Sequence, residues 1–556
     1  MVALGNRGIG SPIPAGPFTG VNDAPDSDTS TPNTLQFAQN VYPDPQAGTY
    51  VGRPAFVVTG SSGSGQQLGS VSYRRSQGGG QWTERNSDGS TTRRTIQVVG
   101  GQFYQYDWAG DTWTEIVNAA AFTAASITLD KVARVYFTVI SNTLFVSDGV
   151  NKPWTWDGTT NAGLTSCTNC PVLFGQPVVY YAKIFGIKNA NRGRIVWSEE
   201  NAANIGYESA PWNDFWDIAQ TDSNPLFGLV AKNDALYVYR ERSVTAVTGR
   251  VDTQFATTGT RSGVSNTVGI ESSGTLVFHE DRVLFLDADG RPRLQSGSVV
   301  DDSIWRDCKQ TIAGLNQGAM SVAQGVDYTQ ANLILFGVPE TGQSDMSMIL
   351  CLAISAQSSP YLTSAYIGAK FASIWRINTA VGSTFTSMSS VVDQNGVPTI
   401  MVGNASGYVF RLGSPDSGPW DDVPVGGTKT AIIHAIQTDQ IGPQIDTDYR
   451  FTRADVVFRT RSTATYGFSY QTPRGAGGTG LQTMVTASGS TYGAKQYGAF
   501  TYGGGIRELK RTFGLGVNAL GRYLYARLDH SGLGEQFGVE RMSVEAIPAS
   551  RQPYAP

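Results

Sequence analysis

Short apolar runs broken by glycine, asparagine or aspartate recur along most of this chain. TIQVVGGQFYQYDWAGDTWTEI reads as strand, Gly-Gly turn, aromatic strand, Gly-Asp turn and strand. VARVYFTVISNTLFVSDGVNKPWTWDG repeats that plan, with turns at Asp148-Gly149 and Asp157-Gly158. PVVYYAKIFGIKNANRGRIVWSEE, LFGLVAKNDALYVYRERSVTAVTG, GTLVFHEDRVLFLDADGRPRL, ANLILFGVPETGQSDMSMILCLAI and VPTIMVGNASGYVFRLG continue the series. A spacing of about 35 to 50 residues predicts an all-β fold, a β-propeller of short antiparallel blades, six to eight in number. The physical reason is that a sheet of three or four strands cannot bury both faces alone. A ring supplies the missing neighbours and leaves only short edges. A stack of sandwiches gives a similar texture and is the competing architecture.

The two ends of the chain differ from this rhythm. Residues 1–50, rich in Pro, Gly, Asp, Ser and Thr, read as an extended N-terminal arm that orders only against another surface. Residues 51–427 form the propeller, with a Gly-rich insertion at about 61–90 whose RRSQGGGQWTERNSDGSTTRR portion reads as an exposed hairpin or loop. Residues 428–556 carry longer alternating strands. In YLYARLDH, Tyr523, Tyr525 and Arg527 oppose Leu524, Ala526 and Leu528, a period of two. This region reads as an antiparallel sandwich or sheet outside the repeats, a platform or tip, and a candidate source of the strand that closes the ring. The tract TPRGAGGTGLQTMVTASGSTYG reads as contact loops.

Composition narrows the class. At 556 residues, with 40% hydrophobic and 11% aromatic residues, the chain is long and apolar enough for two or more packed units. No apolar run reaches the length of a membrane-spanning helix. Charged residues are 15%, against about a quarter in ordinary domains, so Ser, Thr, Asn and Gln must supply the polar surface. A net charge of -4, from 45 acidic and 41 basic residues, argues against a general DNA-coating surface but permits a neutral or acidic channel past which DNA slides. The N-terminus lacks a basic segment followed by an apolar core, so export by that route is not expected.

Candidate chemistry is sparse. His279, His434 and His530 are far apart in sequence and match no metal or nucleophile motif. Cys167 and Cys170 form a CxxC, while Cys308 and Cys351 make no second pair, so no metal and no disulfide framework is expected. GSSGSGQQLGS lacks the Lys-Ser/Thr pair of a phosphate-binding loop. Glycosidase action, which needs two carboxyl groups about 5–9.5 Å apart, has candidates in Asp148, Asp157, Glu199, Asp234 and Asp287. Each falls at a turn or strand end, where aspartate commonly caps its own backbone. Trp154, Trp156, Trp197, Trp212 and Trp216 fit either a sugar platform or wedges between blades, and wedges fit a radial array better. No catalytic, cofactor or metal residue is assigned, and no cofactor is expected.

Several stretches resemble one family, the tail nozzle (tail hub, or packaged-DNA stabilisation) proteins of short-tailed bacteriophages. TYVGRPAF places an Arg-Pro just before the first propeller strand, as in that family. LFVSDGVNKPWTWDG, RIVWSEENAANIGYESAPWNDFW with LFGLVAKNDALYVYRERSVTAVTG, and SGVSNTVGIESSGTLVFHEDRVLFLDADG carry the rest of the likeness. It spans roughly residues 35–412 plus the final FGVERMSVEAIPASRQP. The insertion at 61–90 and the tracts after 470 have no family counterpart, which leaves the fibre, receptor or plug contacts of the distal end unassigned. The resemblance implies a structural virion protein rather than an enzyme, assembled in the host cytoplasm as a homohexameric ring below the portal and adaptor ring. It further implies contacts with tail fibres or spikes and a distal needle or plug. Double-stranded DNA would pass through the lumen without sequence-specific binding, and there would be no stable membrane insertion. Two other classes fit the same texture: a propeller that binds or depolymerises host glycan, and another tail adaptor or baseplate component.

Overall fold

The structure, a computed structural model, describes residues 12–15, 18, 21–23, 34–44, 49–198, 215–218, 224–232, 234–249, 260–301, 303–357, 366–377, 383–415, 418–442, 448–460, 464–484, 507–515 and 519–549. Seven antiparallel blades follow one another: 76–117, 136–166, 173–217, 226–265, 277–301, 324–375 and 387–412. The first strand of each blade lies innermost and packs on the first strands of its neighbours, except that blade four meets blade five through the turn Ser273–Thr275, and blade seven returns to blade one, so the ring is closed. Seven apolar clusters fill the seven gaps between blades.

Blade seven takes its outermost strand from the other end of the chain. Phe56–Val58 pairs antiparallel with Val409–Leu412, Phe56 opposite Leu412 and Val58 opposite Phe410. The closing strand is therefore N-terminal, not part of residues 428–556. Three residues are too few to announce themselves by pattern.

The Gly-rich stretch is a hairpin with an exposed turn, one of its two expected forms, but its first strand is mostly not exposed and pairs with Thr91–Val99. That strand, Ser76–Arg85, is the innermost of blade one. Blades crowd toward the axis, and there glycine is a spacing residue. A Cβ at Gly78 would sit 2.5 Å from the Val135 carbonyl oxygen of blade two, and one at Gly325 of blade six 2.4 Å from Val277 Cγ2 of blade five.

Glutamine does the polar work between inner strands. The Gln81 side chain of blade one donates to Val392 O (2.7 Å) and accepts from Val392 N (3.1 Å) on blade seven. Gln324 of blade six likewise bonds Thr386 O and Met388 N, and Gln176 of blade three reaches Phe137 O of blade two. An amide carries both donor and acceptor, so it can satisfy strand groups that diverge too far to pair directly.

The C-terminal strands form the expected sandwich, but only one of its two sheets lies outside the repeats. Blade six continues outward through Leu35–Gln39, His434–Thr438, Tyr525–His530, Ala464–Thr472 and Gly475–Met484 into one nine-stranded sheet. A seven-stranded sheet built on Tyr449–Thr460 and Gly538–Pro548 covers it, and the two form a β-sandwich. Leu524, Ala526 and Leu528 are fully buried in that core, as the alternation requires. The core runs without a break into the gap between blades five and six.

The described residues of the N-terminal stretch also lie on their own chain. Pro12–Ala15 pairs with Gly538–Pro548, while Leu35–Gln39 and the hairpin Val41–Asp44/Thr49–Gly52 are sandwich strands. The Asp23 carboxylate accepts bonds from Gln310 N and from Thr311 N and Oγ1. The partner surface foreseen for an arm is supplied by the C-terminal half of the same molecule.

Candidate functional site: the propeller–sandwich junction

The segment TYVGRPAF crosses from the sandwich to the strand that closes the propeller, and buried charge concentrates there. Arg53, 1% exposed, makes a two-pronged ion pair with Asp422, 2% exposed, at 2.8 and 2.7 Å. Its remaining N–H groups reach Asn40 Oδ1, Pro54 O and Arg376 O. Asp422 Oδ1 also accepts the Phe56 N–H, at the first residue of the closing strand. The guanidinium lies 5.2 Å from the centre of the Phe56 ring. A planar fork with five donors can meet all these acceptors at once, which an ammonium could not. One side chain thus joins the sandwich hairpin, the end of blade six and the closure of blade seven.

A histidine pair lies beside it. His434 Nδ1 and His530 Nδ1 are 3.1 Å apart, and His530 Nε2 is 3.0 Å from Glu535 Oε2. With Glu535 ionised, His530 donates from Nε2 and accepts at Nδ1, so His434 donates from Nδ1. His434 Nε2 is left without a bond, against Gly52, where a Cβ would lie 2.5 Å away. Glycine is needed at 52 for that approach. Burial, the neighbouring His530 and Arg53 hold the His434 pKa well below its ordinary value. Burial also lowers that of His530, although Glu535 and Asp421 oppose it.

Both rings are therefore neutral when folded, while the unfolded chain takes up their protons near pH 6.5. Below that pH the unfolded state binds more protons, so stability falls as the solution is acidified from about pH 7 to 5. His279 works the other way, since its hydrogen bond to Asp327 raises its pKa and stabilises the fold below pH 6.5. Thermal melting across this range should show a net loss on acidification, reduced in His434→Gln. A flat profile would contradict the neutral pair.

Three of the carboxylates singled out from the sequence, Asp148, Asp157 and Asp287, serve turns. Asp148 accepts from Val150 N, Asn151 N and Asp130 N, and Asp157 from Thr159 N. Asp287 accepts from Asp289 N, Arg291 N and the Arg293 guanidinium, yet burial still pushes its pKa up. Asn404 repeats that turn, accepting from Ser406 N and Tyr408 N. Asp234 Oδ1 accepts from the Tyr181 hydroxyl. Glu199 and Trp212 lie outside the described residues.

Trp154 and Trp156 are buried between blades one and two, packed on Phe103 and Trp82 at 5.1 and 5.4 Å between ring centres. Trp197 and Trp216 are buried between blades three and four. Cys167 and Cys170 lie between blades two and three as buried thiols, and burial raises the Cys170 pKa. Cys308 and Cys351 are also buried thiols. Among the described residues no group of three or more His, Cys, Asp or Glu is placed to hold a metal, and no helix is long and apolar enough to cross a membrane.

One cavity brings together Asp287, a candidate in the sequence, and residues the sequence reading passed over. About 570 Å³ in volume, it lies between blades four and five, and Glu241 and Glu271 face it beside Asp287, Arg291 and Arg293. Burial and the like charge of Glu241 raise the Glu271 pKa.

These features define a seven-bladed β-propeller fused through a shared sheet to a β-sandwich. No family model matches the chain, and no curated protein matches it. Among solved structures it is similar to BamB from Moraxella catarrhalis, with 12% identity and a TM-score of 0.33 over 67% of this chain and 95% of that one. It is similar to YCF48 bound to D1 peptide, with 10% identity and a TM-score of 0.35 over 62% and 95%. It is also similar to the extracellular domain of the one-component system BT4673 from B. thetaiotaomicron, with 9% identity and a TM-score of 0.36 over 68% of this chain. The chain spans only 40% of that last structure's length.

Proposed function

We propose that the chain is the subunit of a ring-shaped tail nozzle, a structural virion protein that retains packaged DNA and conducts it during ejection. The observation that carries this reading is the nine-stranded sheet shared by blade six and the sandwich. Units joined by a linker move relative to one another, whereas a continuous sheet locked by a buried ion pair fixes their angle. A wall that holds DNA under pressure needs that rigidity. The sequence resemblance supplies the ring, the adaptor above it and the fibres or plug at its margins.

The lumen of such a ring should not grip phosphate, because each basic contact adds to the barrier for sliding. In this reading it is lined by Asp, Glu and small polar side chains with scattered Arg. Native mass measurement of the purified chain should give a closed hexamer of the 59.5 kDa subunit. A monomer persisting at tens of micromolar would sink the proposal.

The cavity between blades four and five favours a second reading, glycan binding or cleavage. Release of reducing ends from host polysaccharide, abolished in Glu271→Gln, would support that reading over the nozzle.

A further inference from the structure

The propeller axis is spanned by one arginine. Arg134, just before the inner strand of blade two, reaches across the ring to blades five and six. It donates to Ser272 Oγ at 3.3 Å and to the carbonyl oxygens of Val322 and Ala323. It sits in a cavity of about 170 Å³ that opens on the face where the inner strands begin, lined also by Arg75, Val132, Tyr136 and Thr386.

The rim of this mouth is unusual in two ways. First, it is apolar and exposed: Val71 is 87%, Val132 58% and Tyr73 41% accessible. Val132 lines the mouth itself, and Tyr73, two residues from Val71, is brought to it by Lys131, whose Nζ lies 4.3 Å from the centre of the Tyr73 ring. Second, several of its cations lack an ion-pair partner: among the described residues neither Arg74, Lys131 nor Arg134 has a carboxylate partner. The nearby acids are engaged: Asp345 pairs with Arg75, Asp130 accepts from Val132 N and Ala133 N, and Asp148 caps its own turn.

We infer that this axial face is a docking surface for an acidic segment of a partner protein. A carboxylate side chain enters the mouth onto Arg134, and flanking apolar side chains cover Val71, Tyr73 and Val132. Charge complementarity selects the sign, and the exposed apolar rim selects protein over nucleic acid. Duplex DNA presents phosphates on a wide, stiff cylinder that cannot enter a mouth of this size, while a single carboxylate can. The inference stands apart from the nozzle reading, which concerns the ring lumen.

Fluorescence anisotropy with the full chain tests it. The probes are a labelled peptide of alternating Leu and Glu, the same peptide with Gln for Glu, and a short linear duplex, all at physiological salt. The Glu peptide should bind saturably and the Gln peptide about tenfold more weakly, as expected for loss of charge-assisted hydrogen bonds. Arg134→Gln should weaken the Glu peptide by a similar factor. Since Arg134 also ties blades together, Val132→Ser and Lys131→Glu, both on the exposed rim, provide a second reading. Each should weaken binding with melting unchanged. No binding of the Glu peptide, equal binding of both peptides, indifference to all three substitutions, or tighter binding by duplex at the same residues would each overturn the inference.

Discussion

Asp422→Ala should lower the unfolding free energy by about 3–5 kcal/mol, the usual cost of leaving one partner of a buried ion pair uncompensated. Arg53 would keep its bonds to Asn40, Pro54 and Arg376 but no opposing charge, at a site where it is 1% exposed. The Phe56 N–H would lose its acceptor too. Denaturant titration followed by tryptophan fluorescence would measure the change, since Trp residues fill the gaps between blades. The double variant Arg53→Met/Asp422→Leu should recover much of the loss, because apolar replacements remove both desolvated charges together. A change below about 1 kcal/mol in Asp422→Ala would show that the junction is not held by this pair.

Truncation should divide the N-terminal residues sharply. Removal of residues 1–15 takes away one short edge strand on Gly538–Pro548 and should leave melting nearly unchanged. Removal of 1–44 should unfold the sandwich. It deletes Leu35–Gln39, which stands between Tyr366–Trp375 of blade six and His434–Thr438, leaving a gap of about 10 Å, two strand spacings, in the shared sheet. Leu35 and Ala38, both buried, leave the core with it. The closing strand Phe56–Val58 survives this cut, so the propeller should persist as the more stable part. Circular dichroism and calorimetry of the two truncations decide the matter. A cooperative, wild-type transition for the longer deletion would mean that blade six and the sandwich do not depend on their shared strand.

The propeller was readable because its signals are local. Asp287-Ala-Asp-Gly-Arg and Asn404-Ala-Ser-Gly-Tyr fold their own turns through side-chain bonds two and four residues ahead. The alternation in YLYARLDH likewise reports its own burial. What escaped was non-local. Arg53 and Asp422 are 369 residues apart, and His434 and His530 are 96 apart, so neither pair has a spacing to recognise. The glycines at 78–80 read as part of an exposed hairpin or loop, and their burial escaped because composition alone does not separate flexibility from close approach of two strands. The glutamine bridges resembled ordinary polar surface for the same reason. The Arg-Pro of TYVGRPAF stood out only by resemblance, and its packing gives it a physical role in closing the ring.

Electron micrographs of the purified chain, averaged without imposed symmetry, test the central claim most directly. The nozzle account predicts closed rings with six-fold symmetry around an open axial channel wide enough for duplex DNA, each subunit showing its propeller and sandwich at one fixed angle. Dispersed single propellers, open filaments, or rings whose propellers and sandwiches vary in relative angle would contradict it.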